Sequence, residues 1–348
     1  MQEQPAQRAG DDGGQRSERR PTMADVAARA GVSRALVSLV FRNAPGASEQ
    51  TRERVFQVAE EIGYRPDSAA RLLASSRTKV LGVTITLRHP FHAEIVERIY
   101  PVAEELGYEI LLSAVAPTHS EHRAIDALLD HRCEGVILLA EVDEHYLSTV
   151  GKKVPAVAVS TRATGAGVDL VHSAEAKGVR QALDHLITLG HKKIVHIDGG
   201  DGAGSTERRR AYRAAMRKHD LAGFARVIPG DHTEQAGVRG AELMLSEGEL
   251  PTAVLASNDR CALGLLDALR RAGVRVPDDV SVVGYDDSHV ATLSYIDLTT
   301  VHQDVEGIAQ RAVRAVVERI EGTGSESREI VLEPSLVVRG TTAPPRSV

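Results

Sequence analysis

The sequence predicts two kinds of fold in one chain: a small all-α helix-turn-helix headpiece, then a two-lobed α/β core of doubly wound parallel sheets. Three observations predict it. Residues 23–43, MADVAARAGVSRALVSLVFRN, read as a short helix, a glycine and a second helix that opens on a serine. From Val80 onward, apolar strand runs alternate with amphipathic helical stretches, which calls for parallel strands joined by right-handed crossovers. The 348 residues also exceed the roughly 250–300 at which one core stops growing, so more than one domain is expected.

In the headpiece, Thr22 is placed to cap the first helix, Gly31 to supply the positive φ of a tight turn, and Ser33 to cap the second helix. Val26, Ala27 and Ala30 form one apolar stripe, and Val37, Val40 and Phe41 another. The two stripes meet only if the helices cross steeply, as a helix-turn-helix does. ASEQTRERVFQVAEEIGY supplies a third helix, capped by Ser48, apolar at Val55, Val58, Ala59 and Ile62 with the helical period, and stopped by Gly63.

That packing leaves Arg34, Ala35, Ser38 and Leu39 on the outer side of the second helix. Their chemistry suits a DNA major groove. Arginine reaches guanine with two donors, alanine permits close approach, serine donates or accepts, and leucine meets a thymine methyl. Capping hydroxyls such as Thr22 and Ser33, with the backbone N–H groups beside them, suit phosphate contacts. Charge agrees. Residues 20–79 hold ten Lys/Arg against six Asp/Glu, while the whole chain carries −6. A basic segment on an acidic body implies a polyanionic partner for that segment alone. A hairpin merely packed on the body, with Arg34 solvated, would explain the charge but not the caps and turn together.

Next comes YRPDSAARLLASSRTK, where Asp67 or Ser68 can cap a short helix running to Ala74. Fewer than two turns do not persist alone in water. Ordering about eight residues costs roughly 8–16 kcal/mol of backbone entropy, so a partner must offset it.

The body reads as two α/β halves. VLGVTIT, EILLSAV, GVILLA and AVAVS are the strands of one, and KIVHID, RVIPG, AVLAS and SVVGYDD those of the other. Ser173–Leu189, Asn258–Arg271 and Glu306–Glu321 read as covering helices. Such a pair of sheets places a ligand cleft at the carboxyl ends of the strands. Asn258 and Asp259 follow AVLAS, Asp286 and Asp287 follow SVVGY, and Arg208 lies in STERRRAY at a helix start. Carboxylates, an amide and an arginine converging on a cleft suit a polyhydroxylated ligand. Asp259 and Asp287 read better as helix caps or ion-pair partners.

ADVAARAGVS, VS.V, T..RV...AEE.GYRP and then AARLLA resemble the headpiece and hinge of the lactose-repressor/galactose-repressor (LacI/GalR) family, and the resemblance runs over essentially the whole chain after residue 20. It implies a DNA-binding transcriptional regulator, a repressor by expectation. Such a protein binds a near-palindromic operator as a homodimer and responds to a small-molecule effector between two periplasmic-binding-protein-like lobes. Thr22, Ser33, Arg34, Ala35, Ser38, Leu39 and Asn43 are then the headpiece contacts. Leu73 is the minor-groove wedge and Ala70 the small residue at that contact.

The resemblance further implies three crossings between lobes, near Asp169–Ser173, Thr299–Gln303 and Leu332–Ser335, and effector contacts at Arg208, Asn258 and Asp286. The chain departs from the family at several points. Leu39 stands where many members have a polar reader. Ser160 follows AVAVS where sugar-binding relatives often have an acid. His232 in GDHT stands where several have an aromatic platform, which leaves Phe91 in HPFH as the clearest aromatic wall in a chain without tryptophan.

The boundaries read as a disordered tail at 1–20, the headpiece at 21–66, hinge helix and linker at 67–79, and the core at 80–348. Its first lobe is about 80–170 and 302–331, its second about 173–299 and 333–342.

Composition and motifs argue against other classes. No apolar run reaches the roughly 18 residues of a membrane span, and the Gln-, Gly- and Arg-rich start lacks a signal-peptide core, so a cytoplasmic, nucleoid-associated protein is expected. Cys133 and Cys261 lack CxxC spacing and suit buried thiols in a reducing compartment. IDGGDGAGSTE follows a strand and opens a helix, but its glycines are spaced GxGxG, not GxGxxG, which weighs against a dinucleotide enzyme. His119, His122 and His131 lack metal-ligand spacing, and no GxSxG elbow occurs. No enzyme activity, metal or cofactor is therefore expected. A two-lobed binding protein without a DNA role would account for the cleft but not for the headpiece.

Overall fold

The computed structural model describes residues 21–42, 44–65, 77–159, 167–324 and 327–346. The chain divides into two units, one ending at Arg77 and one beginning at Thr78. The first holds α1 (Met23–Ala30), α2 (Arg34–Phe41) and α3 (Glu49–Glu61). Each helix starts on a side-chain cap: Thr22 in a capping box with Asp25, Ser33 accepting from the Leu36 N–H, and Ser48 from the Thr51 N–H. These caps satisfy amides that a first turn leaves unpaired. Gly31 turns the chain at φ +65°, and Gly63 follows α3 at φ +67°.

The apolar stripes meet as the sequence predicts. Val26, Ala27, Ala30, Val37, Val40, Val55, Val58 and Ala59 form the core with Tyr64, while Phe41 and Ile62 lie partly buried at its edge. Phe41 stands edge-on to Phe56 and Tyr64, at ring separations of 5.5 and 5.6 Å, a favoured aromatic geometry. Arg54 donates to the Ala30 carbonyl and so ties α3 to the end of α1.

The second unit contains two six-stranded sheets. The first takes β1 (Val80–Thr86), β2 (Glu109–Val115), β3 (Gly135–Leu138), β4 (Ala156–Val159), β5 (Val168–Ser173) and β11 (Glu329–Leu332), in the order β11-β5-β4-β3-β1-β2. Every pairing in it is parallel. The second takes β6 (Ile194–Ile197), β7 (Arg226–Ile228), β8 (Ala253–Leu255), β9 (Ser281–Asp286), β10 (Thr299–His302) and β12 (Ser335–Val337), in the order β12-β10-β9-β8-β6-β7. Only β12 runs antiparallel to its neighbour.

Both sheets are covered on both faces, which is why their strands read as unbroken apolar runs. Successive residues of β3 show it: Ile137 packs towards α4 (Pro90–Glu105) and α11 (Val305–Ile320), while Val136 and Leu138 pack towards α5 (Glu121–Asp130) and α6 (Glu144–Gly151). In the second sheet the covering pairs are α7 (Glu175–Thr188) with α8 (Ser205–Lys218), and α9 (Glu234–Ser246) with α10 (Asp259–Arg271).

The chain changes sheet three times, after Ser173, after His302 and after Leu332. The third passage is pinned at its root. Asp169, fully buried on β5, accepts from Arg319 Nη1 at 2.9 Å, from the Arg328 backbone N–H at 2.9 Å and from Arg328 Nη2 at 3.1 Å. Cys133 and Cys261 are free and buried. The tail at 1–20, Asn43, the hinge stretch with Ala70 and Leu73, and Ser160 lie outside the described residues.

Candidate functional site

On α2 the side chains sort by the helical period. Val37 and Val40 are buried, Arg34 and Ala35 are exposed, and Ser38 and Leu39 are half-buried. Leu39 lies over the following turn, where a Cβ built on Gly46 would meet its Cδ1 at 3.3 Å. Ser33 accepts from Leu36 at 3.1 Å, and Thr22 donates to Asp25 at 2.6 Å. Both hydroxyls are therefore engaged in capping.

In the second unit, five of the six residues expected at the effector site line one cavity of about 270 Å³ at the carboxyl ends of the two sets of strands. Phe91 comes from the first lobe; Arg208, His232, Asn258 and Asp286 come from the second. Ser160 is the sixth.

Arg208 is held rigidly. Its guanidinium donates to Glu175 at 2.7 and 3.3 Å and to the Ser257 carbonyl at 2.6 Å, and it lies 3.7 Å over the Tyr285 ring. Burial works against this charge, but the Glu175 carboxylate more than offsets it and keeps the group a cation. Asp286 ends β9 at φ +117° and Asp287 follows at +55°. Two consecutive non-glycine residues in the left-handed region cost about 1–3 kcal/mol each, and such strain gathers at working sites. Burial pushes the Asp286 carboxyl well above the usual carboxylate range, Arg208 opposes the shift, and Gln303 Nε2 donates to it at 2.8 Å.

The neighbouring acids serve the scaffold. Asp259 accepts from the Ser288 N–H and hydroxyl, both at 2.8 Å, and from Thr300 at 2.5 Å. Asp287 pairs with His302 at 3.1 Å and Arg339 at 2.6 Å. Asn258 caps α10 by accepting from the Cys261 N–H at 2.9 Å, and its amide donates to the His232 carbonyl at 3.3 Å. Its side chain thus orders the cavity wall.

Three imidazoles that the sequence did not bring together also meet here. His89 and His92, flanking Phe91, stack at 4.1 Å, and His232 of the other lobe stands 6.4 Å from His89. Burial, then Arg260 and Arg208, push His89 down to about 4; burial, then Arg208 and His89, push His232 down to about 3. Burial followed by its two neighbours takes His92 well below its usual value. All three are neutral at neutral pH. The loop IDGGDGAGSTE explains its glycines here: a Cβ on Gly199 or Gly202 would stand 2.3 Å from atoms of the His232 ring. The run admits an imidazole at close range. Glu175, Gln303 and Glu141 also reach the site, and nothing in their local sequence marks them.

A trihelical unit that leaves Arg34 and Ala35 exposed on its second helix, with a two-sheet receptor enclosing a polar cavity in the same chain, fits a ligand-responsive DNA-binding regulator. Comparison with known proteins makes the class specific. The family described as bacterial regulatory proteins, lacI family, matches residues 22–67, and the periplasmic binding protein-like domain matches residues 183–342. The regulator AscG of Escherichia coli (strain K12) is 34% identical over 310 residues, covering 86% of this chain and 92% of that one.

Two solved structures are similar over nearly the whole chain. The lac repressor dimer bound to operator and the anti-inducer ONPF is 31% identical with a TM-score of 0.82, covering 93% of this chain and all of that one. A CelR–cellobiose complex is 32% identical with a TM-score of 0.69, covering 92% and 100%. The chain belongs to the lacI family of bacterial regulatory proteins. It is a DNA-binding transcriptional regulator with a small-molecule effector site. Among the described residues, no helix is long and apolar enough to cross a membrane.

Proposed function

We propose that this regulator is a repressor that grips a near-palindromic operator as a homodimer and is switched by a small polyhydroxylated effector in the cavity between its lobes. Residues 21–66 serve as the reading head, 67–79 as the hinge, and 80–348 as the effector and dimer core. Arg34, Ala35, Ser38 and Leu39 face the major groove, and Thr22, Ser33 and Asn43 the phosphates. Ala70 and Leu73 serve the minor groove. Phe91, Ser160, Arg208, His232, Asn258 and Asp286 form the effector shell, and Gln303 joins them. The protein acts at DNA in the cytoplasm and has no catalytic role.

The observation that carries the effector reading is the meeting of Phe91 from one lobe with Arg208, His232, Asn258 and Asp286 from the other around one cavity. A ligand that touches both lobes binds their closed arrangement better than the open one, and it shifts the equilibrium by that difference in affinity alone.

The test is Asp286→Asn. It keeps the shape and removes a carboxyl whose charge burial disfavours, so the fold is retained. Operator affinity measured without effector is expected to stay within a few-fold of the parent, and the effector response to be lost. Loss of operator binding would refute the assignment. In the headpiece, Arg34→Ala is expected to weaken specific binding by about 1–3 kcal/mol and to relax preference at one base pair, with non-specific affinity little changed. Binding to randomised oligonucleotides at fixed salt measures both.

A further inference from the structure

The cavity described above opens into a second, outer space of about 520 Å³, and Glu121, Glu141, Gly202 and Ala203 line both. Five carboxylates line this vestibule: Glu121, Glu141 and Asp143 from the first lobe, Asp201 and Glu207 from the second. Among the described residues, no lysine or arginine lines it. Asp143 is engaged by His122 at 2.6 Å and caps α6, and Glu207 also has a partner. Asp201, from the second lobe, and Glu121 both act on Glu141 as like charges across this space.

The inner cavity adds an independent observation. Gln303, only 1% exposed, lines it, and with its Nε2 given to Asp286 its Oε1 has no partner. His232 Nε2 lies 3.1 Å from the Ser205 hydroxyl and 3.2 Å from the Ala203 carbonyl, and its Nδ1 has no partner. The Gln303 oxygen is thus a buried acceptor without a partner, and it calls for a donor on the ligand.

Resting on the effector reading above, we infer that the effector carries a protonated amine, seated beside Glu141 in the vestibule that Glu121 and Asp201 also line, with its hydroxylated body in the inner cavity. An ammonium has three donors and no acceptor, and it neutralises like charges that otherwise push the lobes apart. It therefore binds the closed arrangement better than the open one. A metal ion fits less well: among the described residues, no three or more His, Cys, Asp or Glu are placed to hold one.

Proton linkage provides a readout. Burial, then Asp201 and Glu121, raise the Glu141 carboxyl to about 7. Among the described residues, His122, Asp143 and Glu207 are the other charged or titratable groups lining the vestibule. Above about pH 7 Glu141 is ionised and attracts the amine; below it the proton removes the attraction.

The experiment titrates the full chain with matched probes, glucamine against sorbitol and glucosamine against glucose, by calorimetry and thermal shift. The amines are expected to bind at least about tenfold tighter than their neutral partners, glucamine tightening from about pH 6 to about pH 8. E141Q and D201N are each expected to weaken amine binding about tenfold, and E141Q to flatten the pH dependence, with circular dichroism verifying the fold. Equal binding of amine and neutral partners, amine binding indifferent to both variants, or no amine bound at all overturns the inference. If neutral probes bind and D286N abolishes that binding, the amine assignment falls while the effector cleft stands. If amine binding survives D286N intact, the cleft assignment itself falls.

Discussion

Arg208→Ala is expected to cost the body about 3–5 kcal/mol, the range for breaking a buried ion pair from one side. Arg208 and Glu175 are each about 6% exposed at the side chain. Without the guanidinium, Glu175 is left as an uncompensated buried charge, the Ser257 carbonyl loses a donor, and the Tyr285 ring loses the cation above it. Urea unfolding monitored by circular dichroism measures the loss. Adding Glu175→Gln removes the stranded charge and is expected to recover part of it, since the two sites share one interaction. A loss below about 1 kcal/mol would show that the pair is not buried as described. Loss of effector response in Arg208→Ala therefore reports on folding as well as binding, and Asp286→Asn is the cleaner probe of the ligand.

Asp169→Ala is expected to cost about 3 kcal/mol. The low end applies because Arg328 is 39% exposed at the side chain and can turn to water, whereas Arg319, 11% exposed, cannot. Asp169→Asn keeps an acceptor for the Arg328 N–H and is expected to lose less. Protection of the Glu329–Leu332 amides in hydrogen exchange should fall before that of Gly135–Leu138 at the sheet centre. Equal loss in both strands would argue against a local clamp.

Features that depend on near neighbours in sequence were legible there. Thr22, Ser33 and Ser48 cap the helices they precede, because a cap needs only the next three residues. The apolar runs became buried parallel strands, because only a sheet covered on both faces tolerates them. Phe91, Arg208, His232, Asn258 and Asp286 share a cavity because doubly wound sheets gather their strand ends.

What the sequence hid depends on distant juxtaposition. Glu175 resembles any acid in a first helical turn, yet it lies opposite an arginine 33 positions on. His89 and His92 gain their meaning only when His232 arrives from the other lobe. The glycines of GGDGAG invited a phosphate reading, because periodicity does not reveal what packs against a loop.

The three passages between the sheets have a mechanical consequence. Lobes joined at one point can swivel, but lobes joined by three backbone segments keep one soft coordinate, a bend across the line of the joins. Torsional freedom is lost, so ligand closure does not dissipate in idle rotation. Any motion the effector drives is delivered along a single direction, and a substitution that loosens one passage should weaken signalling before it weakens ligand affinity.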